Sequence, residues 1–389
     1  MASSDAPRYL ENTMPMKTLP STPKDLLQST LDTLIQTYPV PESYDAQLQK
    51  GIFSGYTSLA YLLLQIHRLH PDISVQDKNL RAWTLAYLEP IRREELVHGD
   101  DEYRAGSHSE SLSVDALHSC LSGTEEDVQS VLASVAQYLD LERPYMDELF
   151  YGRAGLLYVL RLVKSWAPAH SAAIEESIAA VAEATLQNRK EKGNWTIVNT
   201  RYYGPAHGDI GILVQLVLSK PSIAPDVRNI LVELLDLQQE SGNWPTSEKT
   251  VQEGTDKDLV QFCHGAPGFV LSLQALRPFY PDLQERIDKA IERGRLITWE
   301  RGLSVKEPSL CHGILSNALA LPPGAQREHF LSFCTLDAVE QAKEENPELF
   351  QQASYTSKVS PLLNYLPSAA WTWAVCELDP APIPLFTDV

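Results

Sequence analysis

Cys263-His264-Gly265 and Cys311-His312-Gly313 are the same tripeptide. Each stands just ahead of an apolar run, in LVQFCHGAPGFVL and PSLCHGILSNAL. Thiolate and imidazole are ligands for a soft divalent metal, and zinc is the ordinary occupant of such a set. Four bound side chains would close a structural site, whereas three would leave a position open for chemistry. Buried packing thiols are the third reading of the same residues. A zinc finger is excluded, because no two of these residues flank the usual ligand loop of about two to four residues. His207, in GPAHGDIG, stands at the same place ahead of an earlier apolar run. A histidine beside a metal suits proton transfer near neutral pH. Asp209 follows it and reads as a helix-start charge rather than an acid.

The elements that must carry these residues are helical. DLLQSTLDTLIQTY, YTSLAYLLLQIHRLH, SAAIEESIAAVAEATLQNR, APDVRNILVELLDLQQE and LQERIDKAIERGRLITW place apolar residues at three- and four-residue spacing. Alternating runs are scarce, so the fold class is all-α. Helices starting near Ser171, Ala224 and Leu283 have charged faces, as an outer layer would. SGYTSLAYLLLQI, YGRAGLLYVLRLV, HGDIGILVQLVL, HGAPGFVLSLQAL and HGILSNALAL are almost bare of charge, as an inner layer would be.

The inner segments open with small residues at a period of roughly 50 residues, which marks an array or a closed ring. Gly55, Gly152, Gly208, Gly265 and Gly313 begin five of them. A weaker one lies near Glu110 to Ser113, and LPSAAWTWAVCEL near Pro367 is the last. About seven inner–outer pairs follow, with KGNWTI and SGNWPT as a second echo of the repeat. In a ring, every inner N-terminus points to one end. Loops, unpaired N–H groups and dipoles gather there, and they favour anions.

The formal net charge of −19 over 389 residues argues against sequence-independent nucleic-acid binding and against a polybasic membrane surface. No run reaches the ~18 apolar residues of a membrane span. The opening MASSDAPRYLENTMPMKTLP has no basic segment followed by an apolar one, and reads as a polar arm. The five cysteines are odd in number and sparse, so a disulfide framework is not expected. The expected compartment is the cytosol. The expected organisation is an arm over residues 1–25 and one domain over residues 26–389.

YGRAGLLYVL, AHGDIG, FCHGAPG, WERGLSVKEPSLCHG and the Ser-Gly-Asn-Trp-Pro turn resemble the lanthionine synthetase C-like family, its eukaryotic members more than the bacterial lantibiotic cyclases. The likeness runs from about Gly51 to the C-terminus and is strongest over residues 151–313. It implies a seven-unit double α/α barrel. It implies one zinc on Cys263, Cys311 and His312, with His264 a neighbour, and His207 as the acid/base. It also implies glutathione binding with Lys306 taking part. Lys306, Arg153 and helix N-termini are then the candidates to hold carboxylates of glutathione or a peptide. The implied reaction is attack of a metal-held thiolate on the β-carbon of a dehydroamino acid or related electrophile, giving a thioether.

The chain departs from the family pattern in three places. Ser316 stands where a second glycine is usual, GSHSESLSVDALHS has lost the glycine pattern, and NYLPSAAW lacks the usual glycines too. These changes bear on the barrel mouth more than on the metal. Three other readings compete with thiol addition: a glutathione- or peptide-binding adaptor without catalysis, a structural zinc protein, and a cyclase acting on a peptide or metabolite in a biosynthetic pathway. A phosphopeptide partner would need a basic pocket, for which Lys306, Arg301 and Arg295 are the nearest residues.

Overall fold

The computed structural model describes residues 7–45, 49–92, 96, 105–143, 145–352 and 359–389. Seven helices form an inner ring: Tyr56–Leu69, Glu110–Ser122, Arg153–Trp166, Asp209–Ser219, Ala266–Leu276, Ile314–Ala320 and Tyr365–Val375. Each packs against the next, and the last packs against the first, so the ring is closed. Burial on all sides explains the missing charge: in Asp209–Ser219 every residue but Leu218 is buried. No helix among the described residues is long and apolar enough to cross a membrane.

The outer layer follows the single-stripe rule. Ala224–Asp236 buries Val227, Ile230, Leu231, Leu234 and Leu235 and turns its other face to water. Leu80–Leu88, Glu125–Ala136, Ser171–Lys192, Ala224–Asp236, Gln284–Arg301 and Ala325–Leu331 each cover the inner helix that precedes them. The seventh inner helix departs from this order. Its outer partner is Pro23–Thr37, the first helix of the chain, so the last pair joins the two ends of the sequence.

Two tryptophans explain the Gly-Asn-Trp echo. Trp195 and Trp244 each donate from Nε1 to a carbonyl ten residues earlier in the preceding outer helix, Thr185 at 3.0 Å and Leu234 at 2.8 Å. Trp244 also lies flat on Phe269 of an inner helix, with centroids 4.4 Å apart. Asn243, fully buried, accepts from the Ala266 amide at 2.7 Å. It thereby caps a helix whose own cap residue, Gly265, has no side chain to offer.

The glycines at the inner N-termini let each preceding loop fold back onto its helix. A Cβ on Gly268 would lie 1.9 Å from the Phe262 carbonyl oxygen and 2.7 Å from the Pro205 ring. Ser316 occupies the corresponding place one helix later, fully buried, with its Oγ 3.5 Å from the Gly313 carbonyl. That departure from the glycine pattern is accommodated locally.

The loops ahead of the inner helices are tied to each other by hydrogen bonds. The bonded residues stand two places before each helix cap. Phe53 N donates to Ser107 O at 3.2 Å, and Ser107 Oγ donates to Phe150 O at 3.1 Å. Cys263 N donates to Cys311 O at 3.0 Å, and Cys311 N to Leu362 O at 2.8 Å. Equivalent residues of neighbouring units therefore stand side by side.

Both chain ends lie on the barrel. The arm forms a bridge from Tyr9 to Ser304, and Leu10 N donates to Leu303 O at 2.7 Å. It continues past Asn12, which bonds Trp299 O and His329, to Leu19, whose amide donates to Glu328. At the opposite end of the ring, residues 382–389 fill the lumen. Asp388 Oδ2 accepts from Tyr61, Gln65 and Tyr158 at 2.6, 2.8 and 2.9 Å. The Phe386 ring meets Phe262, the residue before Cys263, edge to face at 5.4 Å.

Two alanine substitutions separate close approach from backbone freedom. Gly268→Ala should destabilise the fold by about 3 kcal/mol, because backbone must shift. Gly123→Ala should cost only roughly 1 kcal/mol, since Gly123 has positive φ but open space around it. Equal losses in urea denaturation would refute the close-packing account.

Candidate active site

One cavity of about 430 Å³ opens at the N-terminal end of the inner ring. The residue immediately before each inner cap lines it: Ser54, His108, Tyr151, His207, His264, His312 and Leu363. From the places one residue further back, Phe53, Phe150, Cys263 and Cys311 also reach it. The repeat thus delivers one or two side chains per unit to a single volume.

The two cysteines occupy equivalent places in adjacent units, and both are buried. The Cys311 thiol donates to Cys263, which lowers the pKa of Cys263 and raises that of Cys311. Burial opposes ionisation at both sulfurs. Lys306 and the Gln261 amide, whose Nε2 is 2.9 Å from Cys263 Sγ, favour the thiolate. His264 and His312 are pushed down to about 4, first by burial; His207 and then Lys306 add to this at His264, and Lys306 alone at His312. Both are neutral at pH 7, the form that binds a metal.

Among the described residues, no three of His, Cys, Asp and Glu stand close enough together to hold a metal ion as placed. The donor chemistry nevertheless fits zinc. Two touching buried thiols and a neutral imidazole face one open cavity, and Cys2His with an open position is a known catalytic set.

His207 stands on the flank of this cluster. Its Nδ1 lies 2.8 Å from Glu148 Oε2, and Glu148 is buried. The same carboxylate accepts from the amides of Phe150 and Tyr151, so it is held by the loop ahead of Arg153–Trp166. Burial alone would lower the His207 pKa. The hydrogen bond and charge of Glu148, helped by Cys263, reverse this and raise it. With Nδ1–H committed to Glu148, Nε2 is the atom free to exchange a proton.

A smaller cavity of about 250 Å³ adjoins through Gln261, and Arg8, Lys257, Arg301 and Lys306 surround it. Lys306 Nζ donates to Gln261 Oε1 at 2.7 Å, which links this basic pocket to Cys263. Arg301 pairs with Asp258, and the arm brings Arg8 to the rim, where it bonds Lys257 O. Arg295 lies elsewhere, bonded to Ala320 O.

The structure thus gathers Cys263, Cys311, His312, His207 and His264 around one cavity, with Lys306 next door. Arg153 is corrected. Its side chain is buried, pairs with Asp147 at 2.9 Å and donates to the carbonyls of Tyr138 and Asp140. It braces the loop that carries Glu148 and does not reach the cavity. Asp209 is also structural: it is buried and paired with Arg201. Sequence reasoning missed Glu148, Gln261, Phe53 and His108. His108 had a signal, since it precedes a cap as His207 does, but its cap is Ser109 rather than the glycine that marked His207.

The sequence model of the family described as "Lanthionine synthetase C-like protein" matches residues 22–322. The chain is 30% identical over 185 residues to the LanC-like protein GCL1 of Arabidopsis thaliana, covering 44% of this chain and 41% of that protein. It is 26% identical over 297 residues to Glutathione S-transferase LANCL1 of Danio rerio, covering 68% of this chain and 67% of that protein. The solved structure of Nisin cyclase superposes with a TM-score of 0.55 at 13% identity, over 93% of this chain and 95% of that one, and shares the fold.

The Glu148–His207 pair carries a titration test. In Glu148→Gln the carboxylate is lost, so burial should dominate and the His207 pKa should fall below its ordinary value of about 6.5. In the wild type it should lie above that value. NMR titration of imidazole nitrogens measures both, and an unchanged midpoint would refute the pairing.

Proposed function

The chain belongs to the lanthionine synthetase C-like family, and from that premise we propose that it adds a thiol, glutathione, to a dehydroamino acid in a peptide or to a related electrophile. Zinc would be held by Cys263, Cys311 and His312. When bound, the metal supplies acidification of a coordinated thiol and leaves it nucleophilic between two neutralising thiolates. One observation carries the reading: these ligands and His207 stand one or two places before the helix caps of adjacent units, around one cavity. The name of the Danio rerio relative supports a glutathione donor, and the cyclase fold neighbour supports a peptide acceptor.

The chain's own residues divide the work. Arg8, Lys257, Arg301 and Lys306 form a pocket suited to the carboxylates of glutathione, beside the thiol cluster. Gln261 spans the two, with its oxygen toward Lys306 and its nitrogen toward Cys263. The thiol sulfur forms a bond to the β-carbon, and the alkene's electron pair moves to the α-carbon. His207 Nε2 delivers a proton there and is refilled by the proton the thiol gave up. Glu148 holds the imidazole in the tautomer that allows this and stabilises its charged form. All five cysteines are free and buried, which supports a cytosolic setting.

Elemental analysis should find about one zinc per chain, as one open Cys2His site requires. Cys311→Ala should lose the metal together with glutathione addition to a dehydroalanine peptide. Metal without product would favour an adaptor, and product from a peptide's own thiol alone would favour a cyclase. Absence of metal from protein purified without chelator would overturn the zinc reading. Lys306→Ala should raise the KM for glutathione about tenfold or more while changing kcat little, as loss of a charge-assisted contact made equally in ground and transition states does. A purely kcat effect would place Lys306 in the chemistry instead.

A further inference from the structure

The repeat also says what faces the thiols. Count the inner helices from Tyr56–Leu69 as the first; Cys263 and Cys311 then precede the fifth and sixth. In a closed ring of seven, the unit opposite the boundary between the fifth and sixth is the second, flanked by the first and third. Those units present His108, with Phe53 on one side and Phe150 and Tyr151 on the other. The two phenylalanines occupy the same place, two residues before the cap, as the two cysteines.

These rings form one connected wall. Phe53 stacks on His108 with centroids 4.0 Å apart, and meets Phe150 at 4.8 Å with the rings tilted 53°. His108 meets Tyr151 at 4.1 Å, and its Nδ1 lies 3.0 Å from Phe150 O. Tyr151 lies almost parallel to His207, with planes 10° apart. The wall therefore runs from the side opposite the thiols round to the proton donor. The basic pocket lies on the other side, reached through Gln261. Lys50 is the one lysine or arginine that lines the main cavity among the described residues.

We propose that Phe53, His108, Phe150 and Tyr151 form the acceptor subsite, which takes an aromatic side chain adjacent to the electrophilic alkene of a peptide. This rests on the thiol-addition reading. A thiol anchored on the basic side leaves the opposite wall for the acceptor. The alkene then lies between the thiols and the rings, within reach of His207 on the flank. Stacked aromatic rings favour another ring through apolar burial and offset or edge-to-face contact. Selectivity here is a preference of the wall for the residue beside the reacting centre.

The test separates binding from turnover. Three short peptides carry alanine in place of dehydroalanine, with Phe before it, Phe after it, or Ala on both sides. One of the two Phe peptides should bind about tenfold more tightly than the Ala peptide, the scale of a good aromatic contact with its buried area. In Phe53→Leu and Phe150→Leu that ratio should fall below about threefold; unchanged thermal unfolding would show that the fold is kept. Equal binding of all three peptides to the wild type, or a ratio that survives both substitutions, would overturn the subsite. The same peptides with dehydroalanine are then given glutathione. Binding preference without thioether product would sustain the subsite and sink the addition reading. Product formed equally from all three would do the reverse.

Discussion

The hydrogen bonds that join the pre-cap loops around the mouth of the ring are the constraint on which the rest depends. Cys263 N to Cys311 O and Cys311 N to Leu362 O tie three neighbouring loops at one level. A main-chain bond between residues of the same rank forces their side chains to the same height. Two thiols one repeat apart in sequence are thereby brought together, and a histidine follows each at the next position. Burial of both sulfurs then makes their protonation interdependent. Without that tie the repeat would supply several single residues and no cluster.

The scaffold is symmetric and its chemistry is not. Every unit sends its pre-cap residue into the cavity, yet the residue types divide into sectors. Cysteine and histidine hold one sector, aromatic rings the opposite one, and His207 the flank between them. Glu148 sharpens the division. It belongs to the loop of one unit and favours the charged form of the histidine of the next. The polar groups that matter are few and buried, and in such surroundings each one's protonation is set by its neighbours rather than by water.

The two chain ends stabilise the ring in different ways. Pro23–Thr37 supplies the outer cover of the last inner helix, so closure of the ring needs both ends of the chain. The segment before it lies along residues 299–305 and adds Arg8 to the basic pocket. Residues 382–389 occupy the far end of the lumen, where Asp388 satisfies two tyrosines and a glutamine. Phe386 against Phe262 places that plug directly beneath the thiol-bearing loop.

Much of this was legible in the sequence. The helical period, the charge-free inner runs and the recurring glycines determined an all-α array with an inner and an outer layer, because burial on every side excludes charge and close loops exclude side chains. The repeated Cys-His-Gly and its echo at His207 marked which units bring cysteine and histidine to the cavity. Tertiary structure alone decided the rest. Arg153 looks like an anion-binding residue in sequence, but a buried guanidinium beside Asp147 is already satisfied. Glu148 has no motif of its own, and becomes part of the site only because its loop passes under His207. Phe53 and Phe150 look like core residues until closure sets them across from the cysteines. A period determines how often a residue type returns, but which residues face each other depends on how many units close the ring, and that is settled by packing.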